Sequence, residues 1–320
     1  MGFTQKVIVS SIVVVALSLL LYVPLFLYLG YGFWLHVASC IVFAVVSLAS
    51  TLGLFREVSV LHDSDYRLAT LLFVSLTCLV LAEELLLNSQ WAVYGLGLAL
   101  LSLILVPVLA VTFAMQHWLR VSLESIALVF ATRVILSPFP LGFSELSLFL
   151  PFVYTLILVA TILYLGYRQI SSREARFTKG THSWKLQLGT GISIGLLFGI
   201  SEYFILRPRP ISAGSSLLQV IVYVFVVLAI MVGTAEELLF RGLMQSAMEK
   251  VVSPMKAVGI SATLFGLMHI GWMNPLEVLF AYGAGVVLGY LAWRMDGLLA
   301  PIAAHGTGNF ILYLLALLPR

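Results

Sequence analysis

Charge is what this chain has least of. Only 10% of its 320 residues are charged while 61% are hydrophobic, against about 25% charged in an ordinary soluble domain. That scarcity excludes a soluble fold. Cysteine is almost missing: Cys40 and Cys78 each lie inside an apolar stretch and make neither a disulfide framework nor a metal-type pair. Clustered basic surface is also lacking. The net charge of +3 comes from Lys and Arg residues scattered in short connections, so nucleic acid is not an expected partner. Low-complexity segments are absent as well. Lys6 is followed by an apolar run from Val7 to Leu29 with no clear small-x-small cleavage site, which points to a retained first helix rather than a signal peptide.

What the chain has in quantity is apolar runs of about 20 residues, the length that crosses a bilayer. They predict helices near 7–29, 33–55, 68–87, 92–117, 121–136, 147–167, 187–206, 217–248, 256–270, 276–294 and 299–317. The fold class is therefore all-α, a polytopic transmembrane helical bundle of about 9–11 spans. The run 121–136 is the weakest, because it is short and carries Glu124 and Arg133, and it is open to a re-entrant or interfacial reading.

Short loops rich in Lys and Arg face the cytoplasm. The densest basic run holds Arg168, Arg173, Arg176, Lys179 and Lys185, and its expected place is inside. Counting outward puts the N-terminus in the cytoplasm too, with Arg56, Arg67, Arg120, Lys250, Lys256 and Arg294 on the same side and Arg207 and Arg209 dissenting. This divides the chain into N-terminal transmembrane helices of unassigned role at 1–170, a cytoplasmic basic loop at 171–186 and a C-terminal segment at 187–320 where intramembrane charge collects. Trp184 beside the basic residues suits contact with anionic headgroups, or the loop is a plain topology anchor. Gly191, Gly195 and Gly199 repeat every four residues, as do Gly285 and Gly289, a pattern that lets helix backbones approach closely.

An ionised side chain at mid-bilayer costs at least about 2.5–3.5 kcal/mol on insertion scales, so the polar residues inside the apolar runs carry the information. The run 235–242 reads Ala-Glu-Glu-Leu-Leu-Phe-Arg-Gly and contains Glu236, Glu237 and Arg241. Glu237 and Arg241 are four apart and share a helix face, where they can pair. Glu236 is turned about 100° away, towards a cavity if there is one. Taken alone, the trio serves equally well as a polar clamp between helices. The next apolar run carries Phe265 and His269, and the last carries His305 and Asn309, again four apart. Two histidines, an asparagine and a carboxylate not needed for pairing support water activation and carbonyl polarisation. A carboxylate away from water is a stronger general base, and an imidazole or amide N–H can meet a developing oxyanion. In the first half, Glu83 and Glu84 copy the acidic pair, but Asn88 stands where the arginine would fall. They are read as helix-end residues at the interface, with a faint internal duplication as the alternative.

Glu236-Glu237 with Arg241, Phe265 with His269, and His305 with Asn309 together resemble the CAAX prenyl protease and bacteriocin-processing family, also called CPBP or Abi. Its pattern is Glu-Glu-x-x-x-Arg, then Phe-x-x-x-His, then His-x-x-x-Asn or Asp. Every motif position is filled, and the resemblance covers about residues 187–320. It implies that Glu236 and His269 activate the attacking water, that His305 and Asn309 form the oxyanion site, and that Glu237, Arg241 and Phe265 support the geometry. The family has also been described as metal-dependent. The chain lacks His-Glu-x-x-His, the helical zinc signature. No cofactor is favoured; if zinc is bound, Glu236, His269 and His305 are its ligands, in the manner of a catalytic site with an open position.

The expected activity is thus an intramembrane endopeptidase of glutamate type, cutting a membrane-associated or lipidated protein or peptide near the cytoplasmic face. The alternative is a non-enzymatic membrane scaffold or bacteriocin-immunity factor of the same fold. A transporter or proton relay would spread ionisable residues along a path through both halves, whereas here they cluster in one. Expected partners are membrane lipids and the substrate, and the expected location is a prokaryotic plasma membrane. Oligomeric state is not indicated.

Overall fold

The computed structural model describes residues 92–112, 116–136, 150–208, 217–272 and 274–317. The expected helices at 7–29, 33–55 and 68–87, the pair Glu83 and Glu84, both cysteines and Arg209 lie outside the described residues. Among the described residues every regular element is helical. They are α1 (Ala92–Thr112), α2 (His117–Leu136), α3 (Leu150–Tyr167), α4 (Trp184–Leu206), α5 (Leu217–Met248), α6 (Pro254–Leu267), α7 (Pro275–Met295) and α8 (Leu299–Ala316). Five of these, α3, α4, α5, α7 and α8, are long and apolar enough to cross a membrane. The chain is an all-α, multi-pass integral membrane protein. Leu163, Leu197, Phe204, Leu217 and Leu218 stand exposed on α3, α4 and α5, as suits helices solvated by lipid tails rather than water.

The described residues fall into two compact units, one running to Val134 and including Ala247–Tyr282, the other made of Ile135–Ser246 and Gly283–Arg320. In the first, the segment expected at 121–136 is a 20-residue helix starting at His117. Leu119, Leu123, Ile126 and Phe130 are buried, and so is Glu124. Ser122 and Ser125 return their hydroxyls to the carbonyls of Trp118 and Ser122, at 2.7 and 2.6 Å. At the last turn Arg133 Nη2 donates to the Met268 carbonyl at 3.2 Å. Polar groups on a buried helix are tolerated when each finds such a partner.

In the same unit α6 opens with Pro254 in its first turn, where a missing N–H costs nothing. It was expected to reach residue 270 but ends at Leu267. The His269 N–H bonds to the Gly266 carbonyl at 3.0 Å and the Trp272 N–H to His269 at 3.1 Å, so the backbone tightens into a 3₁₀ turn over Ile270–Trp272. Pro275 then opens α7, and the residue before a proline is kept from the helical region. His269 therefore sits in a turn and not on the helix.

The second unit is built on the contact between α4 and α8. Ser183 caps α4 by accepting from the Leu186 N–H at 3.3 Å, and Arg207 ends it in the left-handed conformation. Gly191, Gly195 and Gly199 form a buried stripe on α4. A Cβ at Gly191 would come 2.5 Å from the Ala300 carbonyl oxygen, and one at Gly199 the same distance from that of Gly308. The expected packing role of this stripe is what the structure displays: no side chain fits where α8 passes. Gly306 plays the reciprocal part, facing the Ala229 carbonyl of α5.

The basic loop between α3 and α4 is tied to the turn between α7 and α8. The Thr181 N–H and hydroxyl both donate to the Met295 carbonyl, at 2.8 and 3.1 Å. Gln187, fully buried, holds the Lys179 and His182 carbonyls at 2.7 and 2.8 Å, and Arg176 Nε reaches Asp296 at 3.4 Å. The loop so fixes the entry to α8.

Candidate active site

α5 is not a uniform α-helix. Val224–Val232 and Leu238–Gln245 are π-helical, and the short α turn Gly233–Glu237 lies between them. Extended π-helix is rare and tends to occur at functional sites. The widened backbone has its own partners: the Ser246 hydroxyl donates to the Arg241 carbonyl five residues back, at 2.9 Å. Side chains one turn apart then reach α7, where Arg241 Nη2 donates to the Gly285 carbonyl at 3.3 Å and Gln245 Nε2 to that of Gly289 at 3.0 Å. The spaced glycines of α7 thus lend their carbonyls to α5.

Glu237 and Arg241 pair as their spacing suggests, with Nη1 to Oε1 at 2.9 Å and both side chains 0% exposed. The same Glu237 Oε1 lies 2.7 Å from His305 Nδ1. A carboxylate only accepts, so Nδ1 carries a proton. The other ring nitrogen, Nε2, faces Glu236 Oε2 at 3.7 Å. That distance is longer than a hydrogen bond, and a water to one side of the line can bond to both atoms.

Glu236 differs from its neighbour in exposure and in partner. Its side chain is 23% exposed, and Oε1 accepts the Tyr154 hydroxyl of α3 at 2.7 Å. Asn309 is one turn beyond His305 on α8, and its Nδ2 donates to the Leu228 carbonyl in the first π-helical stretch at 3.3 Å. The structure therefore brings Glu236, Glu237, Arg241, His305 and Asn309 together in one unit, on two helices.

Phe265 and His269 belong to the other unit. His269 Nδ1 lies 2.8 Å from the Phe265 carbonyl, which can only accept, so Nδ1 carries a proton. The Phe265 and His269 rings are tilted against each other at 4.9 Å. Phe265 in this way holds His269 by its backbone as well as by its ring.

Tyr154 was not singled out by the sequence. Its one signal is a phenol inside an apolar span, since a buried tyrosine hydroxyl usually finds a polar partner. Which partner it finds depends on how α3 packs.

Residues 218–311 match the family model described as Rce1-like, type II CAAX prenyl endopeptidase Rce1-like. Over that stretch the chain is similar to this family. It begins in α5 and ends in α8, and takes in all seven motif residues from Glu236 to Asn309. α3 and α4, which supply Tyr154 and the glycine stripe, precede the Rce1-like segment. No curated protein and no solved structure matches the chain. Among the described residues no group of three or more His, Cys, Asp or Glu side chains is gathered so as to hold a metal ion.

Proposed function

We propose that the Rce1-like segment is the catalytic part of an intramembrane endopeptidase of glutamate type, acting on a membrane-associated or lipidated protein or peptide. The observation that carries this reading is the contrast between two adjacent carboxylates. Glu237 is fully buried and engaged by Arg241 and His305, whereas Glu236 is 23% exposed and turns Oε2 towards His305 Nε2. One holds the frame while the other meets the reactants.

In this mechanism Glu236 Oε2 takes a proton from water as the water oxygen attacks the scissile carbonyl carbon. The carbonyl π electrons move onto its oxygen. The mechanism assigns His305 a proton on each nitrogen: Nδ1–H stays with Glu237, and Nε2–H goes to that oxyanion. Asn309 has two amide hydrogens; one goes to Leu228 and the second serves the oxyanion. The C–N bond then breaks, and the proton held by Glu236 passes to the departing amine. His269 is assigned the sharing of the water proton by the resemblance alone. A general base contributes about 10²–10⁴-fold in rate, and one oxyanion donor about 10²–10³.

The test is cleavage of a quenched fluorescent peptide library, farnesylated and plain, by the protein in nanodiscs. Wild type and Glu236→Gln are compared with and without a zinc chelator. Cleavage that falls at least about 100-fold in Glu236→Gln and ignores the chelator supports the glutamate mechanism. Cleavage abolished by chelator and restored by zinc overturns it in favour of a metallopeptidase. A folded wild type that cuts nothing beyond what Glu236→Gln cuts favours a scaffold or immunity factor.

A further inference from the structure

We propose that Tyr154 is a positioning residue for Glu236, so that α3, which precedes the Rce1-like segment, completes the active site. The proposal rests on the peptidase reading above. Its basis is the 2.7 Å bond from the Tyr154 hydroxyl to Glu236 Oε1, at the distance of a charge-assisted O–H···O bond.

The ring that carries this hydroxyl is itself held in place. Tyr154 packs against a buried cluster made of Leu150 from its own helix and Val224, Val227, Leu228 and Val232 from α5. The last of these is four residues before Glu236. The hydroxyl is thereby fixed relative to the same helix that carries its acceptor.

A glutamate carboxylate turns easily about its terminal torsion, whose wells are broad and roughly two-fold. Glu237 is prevented from turning by Arg241 and His305. Glu236 lies 3.7 Å from His305, too far for that contact to hold it. The Tyr154 bond occupies Oε1 and so presents Oε2, the oxygen facing His305 Nε2, to water. Without the hydroxyl the two oxygens exchange and the carboxylate spends time in orientations that cannot take the water's proton. Binding of a peptide elsewhere in the site does not depend on this, so the effect belongs in kcat.

The variant to make is Tyr154→Phe, which keeps the packed ring and deletes the hydroxyl. We expect kcat to fall about tenfold, the effect of losing one orienting hydrogen bond, with KM unchanged and the unfolding temperature lowered less than in Tyr154→Leu. The same change in a Glu236→Gln background should alter the residual rate by less than twofold, because a residue acting through Glu236 has nothing left to act on. In infrared difference spectra, Tyr154→Phe should shift a carboxylate stretching band that is missing in Glu236→Gln. Retention of wild-type kcat, an equal loss in both backgrounds, or no band shift would each overturn the proposal while leaving a cleaving wild type as a peptidase. A band shift in a protein that cleaves no peptide would overturn the peptidase reading and, with it, the catalytic purpose assigned here to Tyr154. Tyr154→Leu, which also removes the ring from the cluster, is the control for lost packing and should lower the unfolding temperature.

Discussion

Replacing Arg241 by methionine removes a guanidinium that is 0% exposed and that donates to Glu237 Oε1 and to the Gly285 carbonyl. The Glu237 carboxylate remains, also 0% exposed, with Oε2 lacking a hydrogen-bond partner among the described residues and Oε1 left to His305. Stripping one member from a buried ion pair costs about 3–5 kcal/mol, because the other charge is stranded out of water. Glu237→Met strands the arginine instead, and a loss of similar size is expected. The double variant Glu237→Met with Arg241→Met strands neither member of the pair and keeps most of the volume. What it loses is a partner for the Gly285 carbonyl and for His305 Nδ1, at about 1–3 kcal/mol. It should therefore be more stable than either single variant, which is the sign of a strongly coupled pair. Unfolding by sodium dodecyl sulfate in mixed micelles, followed by tryptophan fluorescence, gives the three free energies. If the double variant loses the sum of the two single losses, the reasoning from burial is wrong.

Other expectations follow from the packing. Gly195→Leu should destabilise the fold by about 1–3 kcal/mol or more, since Thr307 Cβ lies 2.5 Å from where the new Cβ must go. Gly189→Ala, with nothing within 4 Å of its Cβ position, should stay within about 0.5 kcal/mol of wild type, and thermal unfolding in detergent compares the two. On α4, Gln187→Ala leaves two carbonyls of the basic loop without their donor and should cost about 1–3 kcal/mol. Asp296→Ala breaks a 3.4 Å pair whose acid is half exposed, and less than about 1 kcal/mol should be lost. An equal loss in both loop variants would show that the loop is held otherwise. Asn309→Ala should lower kcat by about 10²-fold through loss of an oxyanion donor while leaving KM nearly unchanged; a pure KM effect in the cleavage assay would remove Asn309 from the transition state.

The helices of the C-terminal half were legible because each is a single apolar run whose length is set by the bilayer. α3, α4, α5, α7 and α8 lie close to where hydropathy puts them. The pairing of Glu237 with Arg241 was legible for a related reason, since four residues along one helix bring two side chains together whatever the helix packs against. The spacing holds even though Arg241 stands in a π-helical stretch. The end of α6 was less legible. Apolar character continues past Leu267, and only the change from i−4 to i−3 bonding at His269 marks the stop.

The sequence by itself determined that this is a helical membrane protein, that its intramembrane charge lies in the C-terminal part, and which side chains can pair within one helix. All three follow from residue type and spacing along the chain, the terms in which insertion cost and helix periodicity are written. Tertiary structure alone decided that His305 turns Nδ1 to Glu237 and Nε2 to Glu236, that Asn309 holds the Leu228 carbonyl, and that Tyr154 meets Glu236 across 82 residues of sequence. Those contacts join different helices. Their geometry is set by how closely glycine stripes and π-helical turns let the backbones approach, and hydropathy carries no record of that distance.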